Sequence, residues 1–165
     1  MWIRANLVLG ASGQTTFEGN SKALSSRFDR TRFHNIRSEC QVILIGGETA
    51  RREPYAKTPT RLIILSSSGE IPDLVRANPL AEIWNVSPEE AISKLQSEGV
   101  ERVLIEAGRT MMLHLAQLHL LDGIYITQTN SDIGENSIDV ELITQGMELV
   151  SAEDSDGESF FLYSK

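Results

Sequence analysis

The sequence predicts an α/β fold: a three-layer sandwich with a mostly parallel central sheet and a C-terminal antiparallel hairpin. Three observations carry this. Strand-like and helix-like segments alternate along most of the chain. The strand-like runs place Val, Ile and Leu on successive positions, the pattern of strands covered on both faces. Near the end, two extended runs flank Asp154-Ser155-Asp156-Gly157, a turn-forming cluster, which adds an antiparallel edge. No repeat, low-complexity tract or linker interrupts the chain, so residues 1–165 are read as one domain.

The elements follow in order. Trp2–Leu9 is an extended run. Ser26–Ser38 carries Phe28, Phe33 and Ile36 at helical spacing, with charges elsewhere. Gln41–Ile45, Arg61–Leu65 and Glu82–Val86 are the next three strands. Pro88–Glu98 has the clearest helix boundaries: Ser87 caps, Pro88 suits the first position, Glu90 completes a capping box and Gly99 ends it. Strand Arg102–Ile105 precedes a helix from about Thr110 to Leu120, with Met111, Leu115 and Leu118 turned to the sheet. After strand Gly123–Gln128 come a polar loop, Thr129–Asn136, and a short helix around Asp139–Thr144. The hairpin strands are Glu148–Ala152 and Glu158–Tyr163.

Composition narrows the function. Fifteen Lys and Arg against 23 Asp and Glu give a net charge of -8, which argues against nucleic acid and anionic membrane surfaces as partners. No apolar stretch reaches the roughly 18 residues a membrane span needs. The N-terminus enters a strand with no signal-peptide core, so a cytoplasmic protein is expected. The single cysteine, Cys40, excludes an internal disulfide and reads as a packed, inert thiol. His34, His114 and His119 read as surface or packing residues, and Glu153-Asp154-Asp156-Glu158 as a solvated turn; no metal site is expected.

In open α/β sheets ligands gather at the carboxyl ends of strands. Three such ends are unusual here. Ile45-Gly46-Gly47-Glu48-Thr49-Ala50-Arg51 combines paired glycines for close approach, a hydroxyl and a cation. Ile105-Glu106-Ala107-Gly108-Arg109-Thr110 runs from strand through glycine into a helix N-terminus, a cradle for a pyrophosphate. Leu65-Ser66-Ser67-Ser68-Gly69 presents hydroxyls. Together they point to a phosphate-bearing ligand. Neither a GxGxxG fingerprint nor a P-loop is present.

Larger motifs carry a resemblance. Trp2-Ile3-Arg4-Ala5-Asn6-Leu7-Val8, Gly19-Asn20-Ser21-Lys22, Asp29-Arg30, Phe33-His34-x-x-Arg37 and Ile43-Leu44-Ile45-Gly46-Gly47-Glu48-Thr49-Ala50-Arg51-x-Glu53 resemble the riboflavin-pathway pyrimidine reductases, the RibD C-terminal domain family. Val103-Leu104-Ile105-Glu106-Ala107-Gly108 and Leu121-Asp122 are similar to that family's later motifs. The resemblance implies a dihydrofolate-reductase-like fold, a homodimer, and NADPH-dependent reduction of a phosphorylated pyrimidine or pterin-like substrate, as in 5-amino-6-(5-phosphoribosylamino)uracil reductase. It implies Asn6 and Glu106 as catalytic residues. Gly46, Gly47, Thr49, Arg51, Ala107, Gly108, Arg109 and Thr110 would hold the cofactor, and Ser66 and Ser67 would read its 2′-phosphate. Ser12, Ser25, Arg37 and Glu53 would line the substrate side, Arg37 meeting the phosphate. Where the family carries Ser-x-Asp-Gly, this chain has Gly10-Ala11-Ser12-Gly13; Ala107 replaces a glycine, and Gly123 an acid. The alternative expectation is a homologue that binds a nucleotide or a partner chain without catalysis.

Overall fold

A computed structural model describes residues 1–155 and 157–165. The chain runs β1 (Trp2–Leu9), α1 (Arg27–Ser38), β2 (Val42–Gly46), α2 (Gly47–Arg52), β3 (Arg61–Leu65), α3 (Asp73–Arg76), β4 (Ala81–Trp84) and α4 (Pro88–Ser97). Then come β5 (Arg102–Ile105), α5 (Arg109–Gln117), β6 (Gly123–Gln128), α6 (Val140–Ile143), β7 (Glu148–Ser155) and β8 (Glu158–Ser164). All eight strands form one sheet in the order β4-β3-β2-β5-β1-β6-β8-β7. The six strands from β4 to β6 are mutually parallel, and β8 and β7 add the antiparallel edge. The turn residue Asp156 lies outside the described residues.

The continuous apolar runs have the expected cause. In β2, Val42 and Leu44 point to one face of the sheet while Ile43 and Ile45 point to the other, and all four are buried. On the first face α4 and α5 supply Ala91, Ile92, Leu95, Met112 and Leu115. On the second, α2 and α3 supply Ala50 and Val75, while Ile36 of α1 packs against Leu104. Each fully buried Leu or Ile here contributes about 1.5–3 kcal/mol. Strand β1 departs from the pattern, alternating buried odd positions with half-buried even ones. That alternation leaves Arg4, Asn6 and Val8 on one face, with Asn6 and Val8 lining a cavity.

Several boundaries differ from the sequence reading for local reasons. Ser26 is the N-cap of α1, its hydroxyl accepting from the Asp29 amide, and Phe28 is exposed. In α5 it is Met112 and Leu115 that face the sheet. The helix ends at Gln117, one turn earlier than expected, which leaves Leu118 exposed. Strand β4 ends at Trp84, and Val86 is exposed. Glu158 is not part of a solvated turn: it is buried, and its carboxylate accepts the Ser26 hydroxyl at 2.5 Å, tying the hairpin to the start of α1. The capping box of α4 is present, and Gly99 takes a positive φ of 78° just beyond it.

Candidate functional site

A cavity of about 1030 Å³ opens at the carboxyl ends of β1, β2 and β5. Twelve of the sixteen residues expected at the site line it: Asn6, Ser25, Arg37, Gly46, Gly47, Thr49, Glu53, Glu106, Ala107, Gly108, Arg109 and Thr110. The strand-glycine-helix turns place themselves here because two parallel strands, β2 and β5, lie side by side and both end at this edge. Gly46 sits closely under α5, where an added Cβ would approach the Met111 methyl to 3.2 Å. Gly108 is different. A Cβ there would meet only the Thr49 hydroxyl, at 3.9 Å, so the glycine at the N-cap of α5 leaves open space. Ala107, for its part, has no positive φ, so its methyl group costs no backbone strain.

The floor of the cavity is an ion pair that sequence spacing conceals. Arg37, from the last turn of α1, donates from Nε to Glu106 Oε1 at 2.8 Å and from Nη2 to Oε2 at 2.6 Å. The Tyr55 hydroxyl donates to the same Oε2 at 2.7 Å. The Arg37 guanidinium also lies 4.0 Å from the Phe33 ring centroid. The side chains are 12% and 4% exposed, so both charges are largely out of water. Burial works against the Arg37 charge, yet the bonds to Glu106 hold its pKa above the ordinary value. Burial, and then the Glu106 carboxylate, push the Tyr55 phenol well above the ordinary range. Burial likewise raises the Cys40 thiol to about 11, and Glu106 adds to that. The thiol is buried and donates to the Ile36 carbonyl, the packed setting expected of it.

Four expected residues lie elsewhere. Ser12 is exposed in the tight turn after β1, its amide donating to Gln14 Oε1 at 2.9 Å. Gln14 folds so closely over Gly10 that a Cβ on that glycine would lie 2.6 Å from its Oε1. Ser66 is buried against Gly47 and accepts the Gly69 amide, so it closes its own loop. Ser67 is exposed. Arg51 donates to the Glu70 carbonyl at 3.1 Å and lines a separate, shallow depression of about 440 Å³ with Ser68 and Arg76.

The cavity also recruits residues the sequence reading passed over. Thr15, Thr16 and Ser21 come from the loop after β1, with Glu135 and Asn136 from the loop after β6. The two loops are stitched together: Gly19 donates to the Glu135 carboxylate, and Asn136 to the Thr16 hydroxyl. Arg30, Phe33, His34 and Arg37 recur at i, i+3, i+4 and i+7 on α1 and share its inward face. That spacing was present in the sequence as a signal. His114, expected as a surface or packing residue, is exposed, lines the cavity and bonds Glu89 at 2.7 Å. Lys57, in the loop after α2, completes the rim.

Fold and cavity together define an α/β protein with its site at the carboxyl edge of a mostly parallel sheet. The chain belongs to the RibD C-terminal domain family, whose pattern matches residues 1–157. Its fold is similar to that of a pyrimidine reductase-like protein from Corynebacterium diphtheriae, with a TM-score of 0.78 at 16% identity, covering 99% of this chain and 91% of that one. It is also similar to a diaminohydroxyphosphoribosylaminopyrimidine deaminase/5-amino-6-(5-phosphoribosylamino)uracil reductase from Thermotoga maritima, with a TM-score of 0.74 at 17% identity and coverage of 99% and 56%. RibD of Acinetobacter baumannii gives a TM-score of 0.77 at 15% identity and coverage of 99% and 57%. This chain thus spans a little over half the length of the last two. At such identities the likeness establishes the fold. No curated protein matches the sequence. Among the described residues no helix is long and apolar enough to cross a membrane.

Proposed function

We propose that this chain is an NADPH-dependent oxidoreductase acting on a phosphorylated pyrimidine or pterin-like substrate, of the kind reduced by 5-amino-6-(5-phosphoribosylamino)uracil reductase. The carrying observation is the pair of strand-glycine-helix turns, Gly46-Gly47 and Gly108-Arg109-Thr110, facing one cavity in a RibD C-terminal domain family member. The residues fit a dinucleotide. Gly108 leaves room for a pyrophosphate beside the amides that open α5, and Arg109 lines the same cavity while its Nε donates to the Ser137 carbonyl. Thr49 and Thr110 add hydroxyl donors. Bound there, the reduced nicotinamide would supply the hydride; the chain's own task is to align the partners and exclude water.

Asn6, projecting from β1 into the cavity, would orient the reacting part of the substrate. Glu106 would act with Arg37 and Tyr55 as a fixed polar floor, its charge already balanced. Glu53 and Ser25 would contact the substrate from the α1 side. In this reading the protein works in the cytoplasm as a single-domain homodimer. The displaced Ser12 supports a second reading, in which the nucleotide binds and no reduction follows.

Thermal unfolding with each dinucleotide tests the first reading. A ligand at one hundred times its Kd adds about 2.7 kcal/mol, roughly 5–10 °C for a chain of this size. NADPH is expected to stabilise more than NADH. No shift with either at millimolar concentration would overturn the proposal; binding without oxidation of NADPH on any ribosylaminopyrimidine phosphate would favour the second reading.

A further inference from the structure

Resting on the reductase reading, we propose that Lys22, Arg30 and Lys57 hold the substrate's phosphate at the mouth of the cavity, in place of the buried Arg37. The inward face of α1 carries two arginines with opposite circumstances. Arg37 is committed: Glu106 takes its Nε and Nη2, Phe33 covers its face, and only 12% of the side chain is exposed. A phosphate drawing it away would leave the Glu106 carboxylate buried without its cation, a costly exchange.

Arg30 is available. It is exposed, spends one N–H on the Ser25 carbonyl at 3.2 Å, and lines the cavity two turns before Arg37. Among the described residues no carboxylate lies within ion-pair distance of Arg30, Lys22 or Lys57. The nearest carboxylates accept bonds from neutral donors, which hold them in place without cancelling their charge. Asp29 accepts the Ser25 hydroxyl at 2.5 Å, and Glu53 accepts the Ser21 amide at 2.6 Å. Three unpaired cations thus line one cavity from three segments: the loop before α1, α1 itself and the loop after α2.

The cavity lining carries six Lys and Arg against five Asp and Glu, a slight local excess of positive charge in a chain whose net charge is -8. Arg and Lys on a phosphate make the stronger, charge-assisted class of hydrogen bond. His34, one turn beyond Arg30 on the same face, adds a ring nitrogen to that wall. A phosphate seated there leaves the organic part of the substrate pointing inward toward Asn6 and the Arg37–Glu106 floor.

Calorimetry on the full chain with ribose 5-phosphate and ribose, each with and without saturating NADPH, tests this. Ribose 5-phosphate is expected to bind at least about tenfold more tightly than ribose. Arg30→Ala and Lys57→Ala should each weaken it about fivefold or more while NADPH affinity stays unchanged, and Arg30→Lys should recover part of the loss. Arg102→Ala removes the same charge from the amino end of β5 and should change neither affinity. The proposal is overturned if ribose 5-phosphate does not bind, if ribose binds equally well, or if Arg30→Ala and Lys57→Ala match the wild type. The reductase reading fails on a separate measurement, the absence of NADPH binding, while rim-dependent binding of ribose 5-phosphate would persist.

Discussion

The floor and the rim of the cavity are built from the same residue types and are put to opposite uses. At the floor, Arg37, Glu106 and Tyr55 satisfy one another at 2.6–2.8 Å and are nearly dry. At the rim, Lys22, Arg30 and Lys57 have no acidic partner among the described residues, and Arg30 is exposed. An arginine whose donors are spent inside the protein supports the structure, whereas one with donors to spare can take a ligand. The difference lies seven residues apart on a single helix face. Substitutions that separate stability from binding can therefore break or sharpen the contrast.

The largest effect is expected from cutting the floor. Arg37→Ala or Glu106→Ala leaves a buried charge without its partner, a class of change that costs about 3–5 kcal/mol. For a chain of this size that is roughly a 10 °C fall in the unfolding temperature. The double variant Arg37→Met, Glu106→Leu should lose less than the two single losses combined, because no uncompensated charge remains. A fall of under about 2 °C in both single variants would mean that the floor is wet and no different from the rim.

Tyr55→Phe should cost less, about 1–2 kcal/mol, since it removes one hydrogen bond to a charged group and leaves Arg37 in place. It also carries a pH signature. The folded Tyr55 phenol keeps its proton above the pKa of the unfolded side chain. Its stabilising contribution is therefore fully present below about pH 10 and is lost as pH rises through the folded value. Alkaline denaturation curves of the wild type should fall more steeply above pH 10 than those of Tyr55→Phe. Parallel curves would place Tyr55 outside the network.

Ser26→Ala comes next, at about 1 kcal/mol for the lost N-cap of α1. The buried Glu158 loses its hydroxyl donor as well, so the loss should exceed that of an ordinary capping residue. Urea midpoints of Ser26→Ala, Ser26→Thr and the wild type check it: threonine should retain most of the stability, and equality of all three would remove the hairpin from the anchoring of the α1 wall.

How much of this could be read in the sequence depends on range. The parallel strands were legible because each apolar run is local and continuous, and α4 because its capping box lies within four residues. Helices α2 and α3 were not. They span six and four residues, too few for a 3.6-residue period, and start at Gly46 and Pro72 without a side-chain cap. At the site, Gly46-Gly47 and Glu106-x-Gly108 stood out because each is a strand end followed by glycine. The Arg37–Glu106 pair did not, since 69 positions separate its members and only the adjacency of elements joins them. The hydroxyls of Ser12 and Ser66 were misleading for a related reason. A serine after a strand looks the same whether it faces a ligand or, like Ser66, closes its own loop onto Gly69.

The smallest effect on stability is expected at the rim, and its smallness is the informative result. Arg30 makes one hydrogen bond to a backbone carbonyl and no ion pair, so Arg30→Ala should move the unfolding free energy by no more than about 0.5 kcal/mol. Its exposed guanidinium is screened by solvent and salt, unlike that of Arg37. Raising the salt concentration from 50 to 500 mM should therefore weaken ribose 5-phosphate binding in the wild type far more than it lowers the unfolding temperature. In Arg30→Ala the salt dependence of binding should flatten, because one of the screened attractions is gone. A destabilisation comparable to that of Arg37→Ala would show that Arg30 is structural too, and the division between floor and rim would collapse. A binding loss at the rim with no stability loss would assign Arg30 to the ligand and not to the fold.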